Sequence, residues 1–224
     1  MKLVQVVGVS KQYRMGTQTV AALQNVTLDV GDGEFLAIAG PSGSGKSTLL
    51  NLIGCIDTPS SGVILLSDQE VSRKSPDQLA GLRARVIGFI FQTFNLLPVL
   101  SAWENVEYPL LYRKDMGRRE RLECVGHYLS VVGLAAFAKH RPNELSGGQR
   151  QRVAIARALA GHPKIVLADE PTANLDSVTG QGVLELMKQI NEQEKTTFIF
   201  STHDARVIEM AHRVVKIGDG RIVG

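Results

Sequence analysis

The run Phe35-Leu36-Ala37-Ile38-Ala39, followed by Gly40-Pro41-Ser42-Gly43-Ser44-Gly45-Lys46-Ser47-Thr48, decides the fold of this chain. Consecutive apolar residues of this kind read as a strand buried on both faces. The residues after it fit G-x-x-x-x-G-K-[ST], and a helical pattern runs from Lys46 toward Ile56. Strand, glycine-rich turn and helix are the context this pattern requires. Glycines let successive backbone N–H groups turn inward and cradle an anion. The helix start adds its partial positive charge. Lys46 is then placed to reach β- and γ-phosphates, and the Ser47 hydroxyl to ligate Mg²⁺.

Three more short apolar runs have the same buried-strand character: Ile87 to Phe91, Ile165 to Ala168 and Thr197 to Phe200. Helix-like stretches lie between them. Buried strands alternating with helices predict an α/β fold, a P-loop NTPase core with a mostly parallel sheet flanked by helices. The first 30 residues read instead as short β segments, around Val4-Val6-Val9 and Leu23-Val26-Leu28-Val30, and predict an antiparallel N-terminal part. The segment from Arg213 to Gly224 reads as a hairpin across Gly218-Asp219-Gly220. Residues 93–161 look mostly helical and hold most of the arginines. They read as a helical subdomain inserted between 1–92 and 162–224, within one domain spanning 1–224.

Composition agrees with a globular domain. The chain has 224 residues, 44% hydrophobic and 21% charged, long enough to bury a sizeable core. The net charge of +3 is too small to call for nucleic acid. Cys55 and Cys124 are too few for a disulfide framework or a metal site, so a reducing compartment is expected. No apolar run reaches the ~20 residues of a membrane-spanning helix, and the first residues carry no apolar signal-peptide core.

A P-loop needs a carboxylate for its metal. Ile165-Val166-Leu167-Ala168-Asp169-Glu170 supplies it, as an apolar strand ending in two acids. Asp169 would hold Mg²⁺ and Glu170 would orient or deprotonate an attacking water. In Leu145-Ser146-Gly147-Gly148-Gln149, Ser146 is a good N-cap with Gln149 three residues on, a capping box. The helix it opens is expected to stop at Gly161. Two glycines at a helix start also permit close approach to a second anion. By composition this string arises by chance roughly once in 1000 such chains.

L-S-G-G-Q in this place resembles the signature of ABC-type ATPases, over essentially the whole chain. Tyr13 resembles the aromatic residue that stacks on adenine, and Gln92 after Gly88-Phe89-Ile90-Phe91 resembles the Q-loop glutamine. Asn174-Leu175-Asp176 resembles the D-loop, and His203 after Ser201-Thr202 the switch histidine. The resemblance implies ATP and Mg²⁺ as ligands. It implies catalytic roles for Glu170, His203, Gln92 and Lys46, and metal ligation by Ser47, Gln92 and Asp169. Nucleotide contacts would come from Tyr13, from Gly40 through Thr48, and from Ser146, Gly147, Gly148 and Gln149.

It also implies a head-to-tail homodimer with two ATP at the interface, in which Ser146 to Gly148 of one chain face the P-loop of the other. Asp176 and its neighbours would couple the two sites. A separate integral membrane permease is the expected partner, docked on a surface within residues 73–123, which places the chain peripherally on the cytoplasmic side of the cell membrane. Phe94-Asn95-Leu96-Leu97-Pro98, Glu104-Asn105-Val106, Pro109-Leu110 and Ile53-Gly54-Cys55-Ile56-Asp57 are similar to the lipoprotein-release and macrolide-export branch (LolD-like and MacB-like). The alternative is a non-transporting regulator of an extracytoplasmic partner, like the cell-division ATPase FtsE. No C-terminal regulatory domain is expected. The run Arg113 to Arg121 carries five bases and two acids and is read as a solvated face with Glu–Arg pairs rather than a lipid contact.

Overall fold

The computed structural model describes residues 2–223. Two strands of 14 residues each, β1 (Lys2–Met15) and β2 (Gln18–Gly31), open the chain and pair antiparallel. They are longer than the short segments expected from the sequence. Register shifts between Val6 and Lys11 bend the pair without ending it, and Gly8 and Asn25 take left-handed backbone there. β3 (Phe35–Ala39) lies where the apolar run predicted, and α1 (Lys46–Ile53) follows the glycine turn. α1 is shorter than the pattern to Ile56 predicted. The Gly54 N–H closes on Leu50 O, and Cys55 turns left-handed at φ 56, which takes the chain off the helix axis.

β4 (Ser61–Leu66) and β5 (Gln69–Glu70) then extend the first sheet to the order β2-β1-β4-β5, all antiparallel. The sequence reading passed over both, although Val63-Ile64-Leu65-Leu66 carried the signal.

The second sheet builds on β3. The chain adds α2 (Ala80–Val86), β6 (Ile87–Ile90), α3 (Ala102–Glu107), a 3₁₀ turn at Tyr108–Tyr112, α4 (Arg118–Val131) and α5 (Gly147–Leu159). It closes with β7 (Ile165–Asp169), α6 (Ser177–Glu194), β8 (Thr197–Thr202), α7 (Ala205–Met210), β9 (Arg213–Gly218) and β10 (Arg221–Ile222). The strand order is β10-β9-β3-β8-β7-β6, parallel throughout except for the β9–β10 hairpin. α5 ends two residues before the expected stop at Gly161.

β3 is buried at all five positions and feeds two cores. Phe35 and Ala37 point into one with Phe198, Phe200 and the helices α3 to α6. Leu36 and Ile38 point into the other, with α1 and the antiparallel sheet. Tyr128 and Leu129 of α4 belong to the same cluster as Phe198 and Phe200, so the helices of 93–161 share the core of the parallel sheet. Three of the five bases of the basic run are paired: Arg113 with Asp115, Arg119 with Glu123 and Arg121 with Glu107. Among the described residues, no helix is long and apolar enough to cross a membrane.

Candidate active site at the carboxyl edge of the parallel sheet

Parallel strands in register end together. Ala39 of β3 lies beside Thr202 of β8, Asp169 of β7 beside Ser201, and Ile90 of β6 beside Ala168. One or two residues past this edge come Gly40, His203, Glu170 and Gln92. Four residues far apart in sequence thus meet because the strands before them are level, on the side where such sheets bind ligands.

The loop after β3 is built from close approaches. A Cβ on Gly40 would lie 2.1 Å from Ile217 O, and one on Gly45 would lie 2.5 Å from Ala22 O. Gly43 and Gly45 have φ of 78° and 103°, which only glycine adopts without strain. The β9–β10 turn buttresses the loop from behind. Gly220 N donates to Ser44 O at 3.0 Å, and Gln24 N donates to Gly220 O at 2.8 Å. Inside the loop, Lys46 Nζ donates to Gly40 O and Pro41 O at 2.8 and 2.9 Å, so a nearly buried cation is aimed into the turn. Ser44 Oγ is buried and without a partner among the described residues. A spare donor and an unneutralised cation in one bowl suit an anion with several oxygens.

Ser47 Oγ donates to Asp169 Oδ1 at 3.0 Å, which joins the start of α1 to the end of β7. Glu170 departs from the strand at φ 46°, a costly conformation for a glutamate. The Glu170 N–H still reaches Ser201 O at 2.9 Å, so the turn is over-determined by the ladder. Its Oε1 lies 2.7 Å from His203 Nδ1, and Thr202 Oγ1 donates to Oε2 at 3.3 Å. A carboxylate only accepts, so Nδ1 carries the hydrogen and Nε2 faces outward on a side chain that is 70% exposed. Gln92 is exposed at the end of β6, and its carbonyl accepts from Asn174 Nδ2 at 2.8 Å.

Ser146 caps α5 as expected: Ser146 Oγ accepts from Gln149 N at 3.3 Å, and Gln149 Oε1 accepts from Ser146 N at 2.8 Å. Gly148 has a further reason to be glycine. A Cβ there would lie 2.3 Å from Thr179 Cγ2, so the start of α5 rests directly on the first turn of α6. A Cβ on Gly147 would meet Leu175 and Asn174 instead. Asp176 caps α6 through Thr179 N at 3.0 Å, and Thr179, first through its side chain and then through this N–H, holds the carboxyl below the usual range. The signature stretch and the P-loop share no hydrogen bond among the described residues. Gly147 and Gly148 lie against Asn174, Leu175 and Thr179.

Tyr13 lies on β1 and is 37% exposed. Its hydroxyl donates to Asp57 Oδ2 at 2.8 Å, and Thr48, just past the P-loop, is near enough to act on the phenol.

Some supporting residues went unread in the sequence. Asp204 takes Thr172 Oγ1 at 2.8 Å and Arg206 Nη2 at 2.6 Å, and so anchors the segment after His203. Arg206, against the opposing effect of burial and with help from Thr172, holds the Asp204 carboxyl down to about 2. Arg157 of α5 donates to the carbonyls of Phe94 and Asn95, both left-handed, and burial pulls its guanidinium down to about 10. An acid directly after the histidine and an arginine in the helix were the available signals, but neither has a fixed spacing to its partner.

Comparison with known proteins places the chain in a family. The family described as ABC transporter matches residues 23–173. An uncharacterized ABC transporter ATP-binding protein of Methanocaldococcus jannaschii, MJ0796, is 46% identical over 98% of this chain and 95% of its own length. The lipoprotein-releasing system ATP-binding protein LolD of Anaeromyxobacter dehalogenans is 46% identical over 98% and 92%. The macrolide export ATP-binding/permease protein MacB of Rhodopirellula baltica is 47% identical over 98% of this chain, which spans 32% of that protein. The MJ0796 cassette has been solved as a dimer in a post-hydrolysis state bound to ADP and Pi. It superposes with a TM-score of 0.90, covering 99% of this chain and 97% of that one. The chain belongs to the ABC transporter family, as an ATP-binding cassette that hydrolyses ATP, with relatives among the LolD and MacB components.

Proposed function

We propose that this cassette works as a head-to-tail pair closing around two ATP, and that the pair drives a separate membrane permease for export or lipoprotein release. The observation that carries this reading is the separation of two anion-suited helix ends within one chain. The start of α1 is joined to Asp169 through Ser47, whereas the glycines that open α5 rest on Asn174, Leu175 and Thr179 and share no hydrogen bond with the P-loop among the described residues. Two such ends serve one phosphate chain only when a second copy supplies the other. ATP then acts as part of the interface, favouring the pair by mass action.

Within one site, Lys46 meets the β- and γ-phosphates in place of its loop carbonyls. Glu170 takes the proton of the attacking water, and its contact with His203 holds that ring where Nε2 faces the departing phosphate. Ser47 Oγ and Asp169 Oδ1 are two hard oxygen donors 3.0 Å apart, a set that fits Mg²⁺ and would hold it with Gln92 at the neighbouring strand end. When bound, the ion neutralises charge on the phosphate oxygens. The rest of catalysis is positioning.

The permease has a place to dock. A cavity of about 590 Å³ opens between α2, β6, the 3₁₀ turn and α5, lined by Arg83, Phe89, Phe91, Tyr108, Tyr112 and Arg157. Leu111 and Tyr112 stand 56% and 70% exposed beside it, an apolar rim suited to a short helix of a partner. With no described helix able to span a membrane, contact with the bilayer would run through that partner. Light scattering of Glu170→Gln in saturating ATP tests the pair, and a monomer there would sink it. Capture of that variant from detergent-solubilised membranes of the source cell tests the partner. Recovery of a few-span permease with a large extracytoplasmic domain is expected, and recovery of division proteins alone would overturn the transport reading.

A further inference from the structure

The stretch Ile53-Gly54-Cys55-Ile56-Asp57 has no role in the chemistry above, yet the structure folds it against the nucleotide side of β1. After α1 ends, the N–H groups of Ile56 and Asp57 both return to Asn51 O, at 2.9 and 3.3 Å. Arg83 Nη1 donates to Cys55 O at 2.8 Å and fixes the turn from the other side. The result aims the Asp57 carboxylate at β1. Its Oδ1 takes Lys11 Nζ at 2.6 Å and Thr58 N at 2.7 Å, and its Oδ2 takes the Tyr13 hydroxyl at 2.8 Å. Lys11 Nζ also donates to Thr58 O at 2.7 Å and stands 4.9 Å from the centre of the Tyr13 ring, over one of its faces.

This is an unusual investment for a surface tyrosine. Tyr13 is 37% exposed, on a strand whose neighbours at Gln12 and Arg14 are also exposed, so packing alone does not fix the ring. Two contacts do: the hydroxyl is pinned at its tip, and a cation covers one face. Among the described residues no aromatic ring and no second cation stacks on Tyr13.

We propose that Asp57 is a positioning residue for nucleobase recognition, anchoring Tyr13 by its hydroxyl and Lys11 by its ammonium so that one ring face is pre-set for stacking. The inference rests on the nucleotide-site reading above and adds to it the group that orients the aromatic. An anchored ring loses less freedom on binding than a free one, so the anchor strengthens binding of the base and leaves the phosphates untouched.

The test is calorimetric titration of the full chain with ADP and, separately, with inorganic tripolyphosphate, which has no base. Asp57→Ala and Tyr13→Phe each remove the anchor, the second without disturbing the Lys11–Asp57 pair. Each is expected to weaken ADP about tenfold and to leave tripolyphosphate within about twofold. The double variant is expected to be no weaker than Asp57→Ala alone, since both changes delete one contact. Unchanged ADP affinity in either single variant would overturn the proposal. So would an equal loss for tripolyphosphate, which would make the trio a structural staple of the P-loop region. A wild-type chain that bound neither compound would instead overturn the nucleotide-site reading, and Asp57's role with it.

Discussion

Gly148→Ala tests whether the contact between α5 and α6 sets the signature helix. The new methyl carbon would lie 2.3 Å from Thr179 Cγ2, while carbon atoms pack at ~3.5 Å or more. About 1.2 Å of separation must be found between two helix starts. Thr179 is β-branched and stiff, and its N–H is tied to Asp176 Oδ1, so the strain falls on the backbone. Overpacking of this kind costs about 1–3 kcal/mol. Thr179→Ser removes the offending methyl for ~0.8 kcal/mol and leaves the Asp176 cap, which uses the backbone. The urea unfolding midpoint should therefore fall in Gly148→Ala and recover by at least half in the double variant. ATP turnover should follow the same pattern, because Ser146 rides on the displaced helix start. A Gly148→Ala midpoint equal to that of the wild type would refute the reasoning, and so would a loss that Thr179→Ser fails to relieve.

Glu170→Gln keeps the shape of the site but removes its base, and should lower steady-state ATP turnover by about 100-fold or more while ADP affinity is kept. Turnover within tenfold of wild type would remove Glu170 from the base role. Asp204, held at about 2 against an ordinary 3.8, adds stability above pH about 4 that is lost as pH falls toward 2. Unfolding midpoints measured across that window should drop less steeply in Asp204→Asn than in wild type, and equal slopes would contradict the assignment. Arg157→Ala releases the carbonyls of Phe94 and Asn95. Hydrogen exchange of residues 92–97 should quicken, with the strands β7 and β8 unaffected, and unchanged exchange would show that another contact holds the segment.

The parallel sheet was legible because its strands are buried on both faces and read as unbroken apolar runs, as at Phe35–Ala39 and Ile165–Asp169. The antiparallel sheet was only half legible. Its β1 and β2 are bulged and exposed at their far ends, which breaks the alternation that marks a strand. The end of α1 was misjudged because Cys55 and Ile56 continue the apolar pattern while Gly54 and a left-handed Cys55 stop the helix.

For the candidate site, the strand-end residues could be named from local strings, since each follows a recognisable strand. What holds them could not be. The contacts of Lys11 with Asp57, of Thr172 with Asp204 and of Asn174 with Gln92 join residues from 32 to 82 positions apart, and no local pattern encodes such distances. The rest of Gly148's role was hidden for the same reason, because Thr179 lies in another helix.

The glycine turn at 218–220 gives the molecule an order of assembly. Ser44 O is held by Gly220 N, and Gly220 O by Gln24 N, so the phosphate loop is tied to a residue made about 175 positions later. During synthesis the P-loop leaves the ribosome well before the turn that braces it. Until β9 is made, that edge of β3 is unpaired, and a stretch of five apolar residues stands exposed along it. A chain stopped short of the turn would keep the motif in its sequence and lose the brace behind the loop.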